Sequence, residues 1–145
     1  MSEPQHTGPA LSGKTILVVD DQAQIRGLIR QVLEPRGAVI LDAANAYRAL
    51  AVWQRHKDTI ALAIIDFLMP GMSGLDLAAQ LQRDKPALKI LYMSSAVESI
   101  AMESLIRRSP DLVLLKPFTV PELLEKLHAI LDNGLGALAG GSPPS

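Results

Sequence analysis

Five short aliphatic runs, separated by longer segments of helical periodicity, constrain the fold of this chain more than any other feature. Each run is almost continuously apolar, which is typical of parallel strands buried on both faces. The predicted strands are residues 15–20, 38–42, 61–66, 89–94 and 111–115. Because strands and helices alternate, the sequence predicts an α/β fold in which helices cover a parallel sheet.

The segments between the runs place apolar residues three and four positions apart, as one face of a helix does. The predicted helices are residues 23–34, 46–57, 74–84, 97–107 and 120–132. Thr119 and Glu122 have the spacing of a capping box before the last of them. Right-handed crossovers then predict a flavodoxin-like (βα)5 fold, which is a doubly wound five-stranded parallel sheet of strand order 2-1-3-4-5.

The length of 145 residues fits one domain. Residues 14–133 contain all of the predicted strands and helices. Residues 1–13 and 134–145 are rich in Gly, Pro and Ser, and we expect both segments to be flexible tails. Aromatic residues are only 3% of the chain, so the core must be packed from Ala, Val, Ile and Leu.

Charge and composition exclude several classes of function. A net charge of −1 provides no basic surface for nucleic acid or for an anionic membrane. The absence of cysteine excludes disulfides and thiol catalysis. No apolar run approaches the ~20 residues that span a bilayer, so we expect a soluble, cytoplasmic protein. His6, His56 and His128 lack any metal-ligand spacing and are predicted to lie on the surface.

Chemically active side chains follow the predicted strands where those strands end. Asp20 and Asp21 close the first strand, Asp66 the third and Ser94 the fourth, and Lys116 follows the fifth. Because the carboxyl ends of parallel strands meet at one edge of the sheet, we expect these groups to converge.

Three carboxylates in one place require neutralisation. Two unit charges ~4 Å apart repel by ~1 kcal/mol in water and by ~4 kcal/mol at an effective dielectric constant of ~20. With only oxygen ligands present, Mg²⁺ is the cation that such a site prefers. Lys116 supplies a second positive charge. A carboxylate held beside both cations can attack a phosphoryl phosphorus without a general base.

Four motifs in this order carry a family resemblance: VVDD at 18–21, DFLMPGMSGLDL at 66–77, YMSS at 92–95 and KPF at 116–118. Together they resemble the receiver domains of two-component response regulators, either stand-alone or of the hybrid-kinase type. The resemblance extends from about residue 14 to residue 132.

The resemblance implies that Asp66 is the phosphoacceptor in a phosphorelay, phosphorylated by a histidine kinase or a histidine phosphotransfer protein. It implies a Mg²⁺ site formed by Asp21, Asp66, the main-chain carbonyl of Leu68 and, through a water, Asp20. It also implies a switch hydroxyl, a phosphoryl-binding ammonium and a cis peptide bond, at Ser94, Lys116 and the bond before Pro117 respectively. Apart from self-phosphorylation and slow autodephosphorylation at Asp66, no enzymatic activity is implied.

The sequence departs from the family pattern at several positions, among them residues 107–110, where Arg-Arg-Ser-Pro replaces the usual Gly-Ala turn and altered geometry is expected. Val113 occupies the place of the usual aromatic switch residue, and its branched Cβ restricts χ1, so the fourth helix and the loop after Ser94 are expected to carry the response. Leu68 and Ala96 flank the expected route of the hydrolytic water. Because neither side chain can orient a water, we expect slow autodephosphorylation.

Other interpretations remain open at this point. Asp20 and Asp21 could cap the first helix, Ser94 could be a turn residue, and Lys116 could be a solvated surface charge. The whole domain could dock partners without phosphorylation. It could also be a phosphatase with Asp66 as nucleophile, although Leu68 stands where that chemistry needs a second carboxylate.

No DNA-binding module follows residue 132, so the output is expected to be contact with another protein, made by a monomer or a weak dimer. Neither nucleic acid nor a membrane is an expected partner.

Overall fold

The computed structural model describes residues 11–95 and 100–133 and contains a parallel sheet with helices on both faces. The strands are β1 (Thr15–Val19), β2 (Val39–Ala43), β3 (Ile60–Asp66), β4 (Lys89–Ser94) and β5 (Val113–Leu115). The helices are α1 (Ala23–Leu33), α2 (Ala46–His56), α3 (Gly74–Asp84), α4 (Ile100–Arg108) and α5 (Val120–Asn133). The strand order β2-β1-β3-β4-β5, with every pair parallel, confirms the predicted flavodoxin-like fold.

Two apolar cores lie on the two faces of the sheet. In β3, Ala63 and Ile65 belong to one core and Leu62 and Ile64 to the other, as the two-residue period of a strand requires. Helices α2, α3 and α4 cover the first core, and α1 and α5 cover the second. Because β3 is buried on both faces, the last residue of this strand is held firmly at the centre of the sheet edge.

Several predicted strand boundaries were wrong by one or two residues, and two of them concern strands that lead to the polar residues. The fifth strand was predicted from residue 111, but Pro110–Leu112 forms a short 3₁₀ helix and β5 begins only at Val113. Proline is favoured in the first turn of a helix because it has no N–H to donate. The first strand ends at Val19, so Asp20 follows the strand rather than closing it.

The capping box predicted before the last helix is confirmed. The backbone N–H of Glu122 donates to Thr119 Oγ1 (3.2 Å), and the backbone N–H of Thr119 donates to Glu122 Oε1 (2.8 Å). Two helix N-terminal N–H groups are thereby satisfied, which fixes the start of α5 just after the segment that carries Lys116.

The packed domain extends beyond the predicted N-terminal boundary at residue 14. Leu11 is fully buried in the core beneath α1 and α5, and the Gly13 N–H donates to the Gly37 carbonyl (2.8 Å). The rest of the two predicted tails, residues 1–10 and 134–145, lies outside the described residues, as do residues 97–99 of the predicted fourth helix.

One histidine that was predicted to lie on the surface is buried. His128 is only 5% exposed and its Nδ1 lies 2.7 Å from the Leu124 carbonyl, so its prediction as a surface residue was wrong. Helical periodicity alone did not distinguish this inward position of α5 from an outward one.

Within residues 11–95 and 100–133, no helix has the length and apolar character needed to cross a membrane.

Candidate functional site

The polar side chains predicted to converge do meet at the carboxyl edge of the sheet. Asp20 and Asp21 follow β1, Asp66 is the last residue of β3, Ser94 is the last residue of β4, and Lys116 follows β5. Strands β1 and β3 are neighbours in the sheet, which places the acidic pair directly beside Asp66. The site is therefore a consequence of strand order.

The three aspartates form a cluster of oxygen donors. One carboxylate oxygen from each of Asp20, Asp21 and Asp66 lies within 4.8 Å of the others. Asp20 is 0% exposed and Asp66 is 6% exposed, whereas Asp21 is open to solvent. The cluster is thus a half-buried acidic pocket with one accessible side.

Lys116 provides the positive charge on the inner side of the cluster. Its Nζ lies 2.7 Å from Asp20 Oδ2 and 3.7 Å from Asp66 Oδ2, and its side chain is only 10% exposed. It also donates to Gln22 Oε1 at 3.3 Å. The interpretation of Lys116 as a solvated surface charge was therefore wrong.

The acidic pair does not act simply as a helix cap. The N-cap residue of α1 is Gln22, whose side chain forms no capping hydrogen bond. Asp20 Oδ1 accepts the backbone N–H of Gln22 (2.8 Å), which holds the turn between β1 and α1. This contact occupies one oxygen of Asp20, while the exposed carboxylate of Asp21 faces solvent beside it.

Burial is the main cause that raises the pKa of Asp66 to about 6, and the negative charges of Asp20 and Asp21 contribute to the rise. Lys116 and a backbone hydrogen bond from Leu68 act in the opposite direction. One ammonium therefore does not neutralise three carboxylates in this half-buried position.

The donor set fits a hard divalent cation. All the candidate side-chain ligands are carboxylate oxygens, which Mg²⁺ prefers over nitrogen or sulfur donors. Asp20 Oδ2 is buried and forms no hydrogen bond within the part of the chain that is described, since its contact with Lys116 is an ion pair outside hydrogen-bond geometry. A cation beside these oxygens would relieve the repulsion that raises the Asp66 pKa.

The other predicted site residues surround this cluster. Ser94 is buried, and its carbonyl accepts the backbone N–H of Lys116 (2.7 Å). The Lys116–Pro117 peptide bond is cis. Leu68 is 45% exposed, two residues after Asp66. Ala96 lies outside the described residues.

The residue at the position of the usual aromatic switch, Val113, is buried. Val113 is only 4% exposed and pairs in register with Tyr92 on β4. The Tyr92 ring meets Phe67 edge to face with a centroid distance of 6.1 Å. Tyr92, on the strand that ends in Ser94, is thus the aromatic neighbour of the valine, and its ring contacts Phe67, the residue that follows β3.

Sequence reasoning missed two residues that support the site. The Arg26 guanidinium donates to the main-chain carbonyl of Asp20 (2.7 Å), a contact that helical periodicity does not reveal. A Cβ on Gly74 would lie 2.4 Å from the Asp66 carbonyl oxygen, so only glycine fits there. The second glycine of the DFLMPGMSGLDL motif was the available signal for Gly74.

Comparison with known proteins identifies the arrangement. A model of the response regulator receiver domain matches residues 16–128. The chain belongs to the response regulator receiver domain family. Receiver domains are signalling modules of two-component systems, generally without an enzymatic activity of their own, and membership implies kinase or phosphotransfer partners.

Two relatives are transcriptional regulators. The chain is 37% identical over 122 residues to the phosphate regulon transcriptional regulatory protein PhoB of Pseudomonas aeruginosa, covering 82% of this chain and 52% of that protein. It is 32% identical over 116 residues to the transcriptional regulatory protein ResD of Bacillus subtilis, covering 80% and 47%. The receiver domain thus spans about half the length of these relatives.

Solved structures agree with the fold. A CheY-like response regulator receiver domain protein of Methanospirillum hungatei is 29% identical, with a TM-score of 0.72 over 84% of this chain and 96% of that one. The Vibrio cholerae chemotaxis protein CheY4, at 24% identity, has a TM-score of 0.71 over 82% of this chain and 99% of that one.

Proposed function

We propose that this receiver domain accepts a phosphoryl group on Asp66 from the phosphohistidine of a histidine kinase or histidine phosphotransfer protein. The observation that carries the proposal is the position of the Asp66 carboxylate, beside two other carboxylates and 3.7 Å from the Lys116 ammonium. In-line phosphoryl transfer requires a nucleophile held beside positive charges that stabilise the phosphoryl oxygens. Asp66 would be the nucleophile, with the Lys116 ammonium on one side and a divalent cation held by the aspartates on the other.

In the transfer step, an oxygen of Asp66 forms a bond to phosphorus while the bond from phosphorus to the donor's histidine nitrogen breaks. The nitrogen keeps the electron pair of the broken bond and the imidazole leaves. Lys116 pairs with a phosphoryl oxygen, and the Ser94 hydroxyl donates to another. These groups are already held at the strand ends, so little reorganisation is needed.

We further propose that Mg²⁺ is held by Asp21, Asp66 and the main-chain carbonyl of Leu68, with Asp20 acting through a water. When bound, the cation neutralises charge that develops on the transferring phosphoryl oxygens. Asp20 remains tied to Gln22 and Lys116, which suits a role in orienting a bound water rather than in direct ligation.

The output of the phosphorylated domain is proposed to be protein–protein contact. Transfer of phosphate adds roughly one to two negative charges beside Lys116, which changes the electrostatics at the ends of β4 and β5. A partner that contacts this edge then distinguishes the two states by charge.

A phosphotransfer assay tests the proposal. A panel of ³²P-labelled histidine kinases and phosphotransfer proteins is incubated with the domain and Mg²⁺. We expect label to pass to the wild type from at least one donor, and equally to a matched Asp58→Asn variant, because Asp58 is an exposed aspartate remote from the cluster. Asp66→Asn should receive no label.

The opposite results separate the alternatives. If no donor labels the wild type, the domain acts as an interaction module without phosphorylation. If Asp66→Asn is labelled as the wild type is, another side chain is the acceptor.

A further inference from the structure

A second concave feature lies outside the acidic site, at the β2 edge of the sheet. It is an open cavity of about 640 Å³ between α1 and α2. Its apolar wall contains Ala44, Ala51 and Val52. Its basic side chains are Arg26, Arg48, Arg55 and His56. Small-molecule sites commonly have volumes of ~300–1,000 Å³ with an apolar wall and a few polar groups, and this cavity has both features.

The single acid that lines the cavity is already neutralised. Asp42 Oδ2 lies 3.5 Å from Arg26 Nε and 3.5 Å from Arg30 Nη2. Two guanidinium groups therefore share one carboxylate on the α1 side. Asp42 forms no ion pair with Arg48 or Arg55, which lie on the α2 side of the cavity.

Arg48 and Arg55 lie on one stripe of α2. They are seven residues apart, which is about two turns or roughly 10 Å along the axis, and Ala51 and Val52 lie between them. Both arginines are exposed, and neither forms an ion pair within residues 11–95 and 100–133. Because no carboxylate of the described residues pairs with either guanidinium group, both can pair with an anion that enters the cavity.

We propose that this cavity binds a small organic phosphate such as a nucleoside monophosphate. The guanidinium groups of Arg48 and Arg55 hold the phosphate, and the organic part lies on Ala51 and Val52. Guanidinium is suited to phosphate because its planar fork donates two parallel hydrogen bonds. The limited size of the cavity and the chain's net charge of −1 favour a small molecule over a polyanion.

Titrations with AMP, inorganic phosphate and adenosine test the proposal on the full chain. Magnesium-free buffer with EDTA removes any binding that depends on a cation at Asp66. We expect AMP to shift the amide resonances of α2 and the end of β2 and the Arg48 and Arg55 Nε–H signals. Loss of the bidentate contacts in Arg48→Gln/Arg55→Gln should weaken AMP binding by at least about 10-fold.

The matched control removes two exposed arginines elsewhere, in Arg83→Gln/Arg107→Gln. This variant has the same net charge as the test variant and should bind AMP as the wild type does. Thermal unfolding of both variants checks that the exposed substitutions leave the fold intact.

Three results would overturn the proposal. They are the absence of any AMP-dependent shift at millimolar concentration, equal AMP affinity in the Arg48→Gln/Arg55→Gln variant and the wild type, and inorganic phosphate or adenosine binding as tightly as AMP. Because neither Mg²⁺ nor a phosphodonor is present, none of these results bears on phosphorylation of Asp66.

Discussion

The Asp66 carboxylate has a pKa of about 6 because it is buried beside two other acids. In the unfolded chain its pKa is close to the ordinary value of ~3.9. Between pH 4 and 6 the unfolded chain loses this proton first, so rising pH favours unfolding. Above pH 6 the folded domain bears the full free-energy cost of holding Asp66 ionised. Below pH 4 this cost disappears, because Asp66 is protonated in both the folded and the unfolded state.

Asp66→Asn should therefore stabilise the metal-free domain at pH 7.5 by about 1–3 kcal/mol, because the amide carries no charge to bury. Urea denaturation in EDTA at pH 7.5 and pH 4 measures the effect. The gain should shrink toward zero at pH 4. A gain of equal size at both pH values would show that the charge of Asp66 is not its cause.

Leu68 is an exposed apolar side chain two residues after the acceptor. Replacing it with asparagine provides a group that can orient the attacking water, and its main-chain carbonyl is retained. We expect Leu68→Asn to shorten the lifetime of the phosphoryl group on Asp66 by roughly 10-fold or more. Loss of ³²P from the purified phosphoprotein gives the rate, and an unchanged lifetime would refute the role assigned to Leu68.

The site residues could be predicted from the sequence where they belong to a motif at the end of a strand. Asp20, Asp21, Asp66 and Lys116 all lie at the expected edge. The contact of Arg26 with the Asp20 carbonyl could not be predicted, because it depends on the rotation of α1 about its axis and on a side-chain conformation.

At the scale of elements, α3 is seated closely on the end of β3. A Cβ at Gly74 would meet the Asp66 carbonyl oxygen at 2.4 Å and Phe67 Cα at 2.9 Å, and both are backbone atoms. Gly74→Ala must displace α3 or the acceptor strand, and we expect a destabilisation of about 1–3 kcal/mol. Chemical denaturation measures this change, and amide shifts at Asp66 report the displacement.

Gly27 provides the matched control. It lies within α1, and a Cβ there would meet nothing within 4 Å. Gly27→Ala should stabilise the domain by about 0.5–1 kcal/mol, because alanine is the better helix former. A Gly74→Ala variant as stable as Gly27→Ala would contradict the close seating of α3.

The response element is proposed to be α4 together with the loop after Ser94, because buried Val113 cannot act as a swinging ring. Adding beryllium fluoride and Mg²⁺ as a phosphate mimic should shift the backbone amides of Ile100–Arg108 more than those of α1. Unchanged α4 amides would rule this out. The loop at residues 96–99 lies outside the described residues.

Element boundaries were harder to predict than the elements. All five helices and strands were expected, yet β5 is two residues shorter at its start because Pro110 begins a 3₁₀ turn. A local apolar pattern reports burial, whereas the hydrogen-bond partners that define a strand's start depend on the neighbouring strand.

At the scale of the molecule, the sheet order followed from the sequence because right-handed crossovers leave few ways to bury five apolar strands. The inclusion of Leu11 in the core did not follow, since one leucine in a Gly- and Pro-rich segment carries no periodicity. The basic cavity beside β2 was not foreseen either. It arises from residues of α1, β2 and α2 that only the tertiary fold brings together.

The chemistry at the sheet edge is tested most directly by the intact mass of the folded domain after incubation with acetyl phosphate and Mg²⁺. The wild type should gain one phosphoryl group, about 80 Da, while Asp66→Asn should keep its original mass. No gain by the wild type, or an equal gain by Asp66→Asn, would contradict phosphorylation at Asp66.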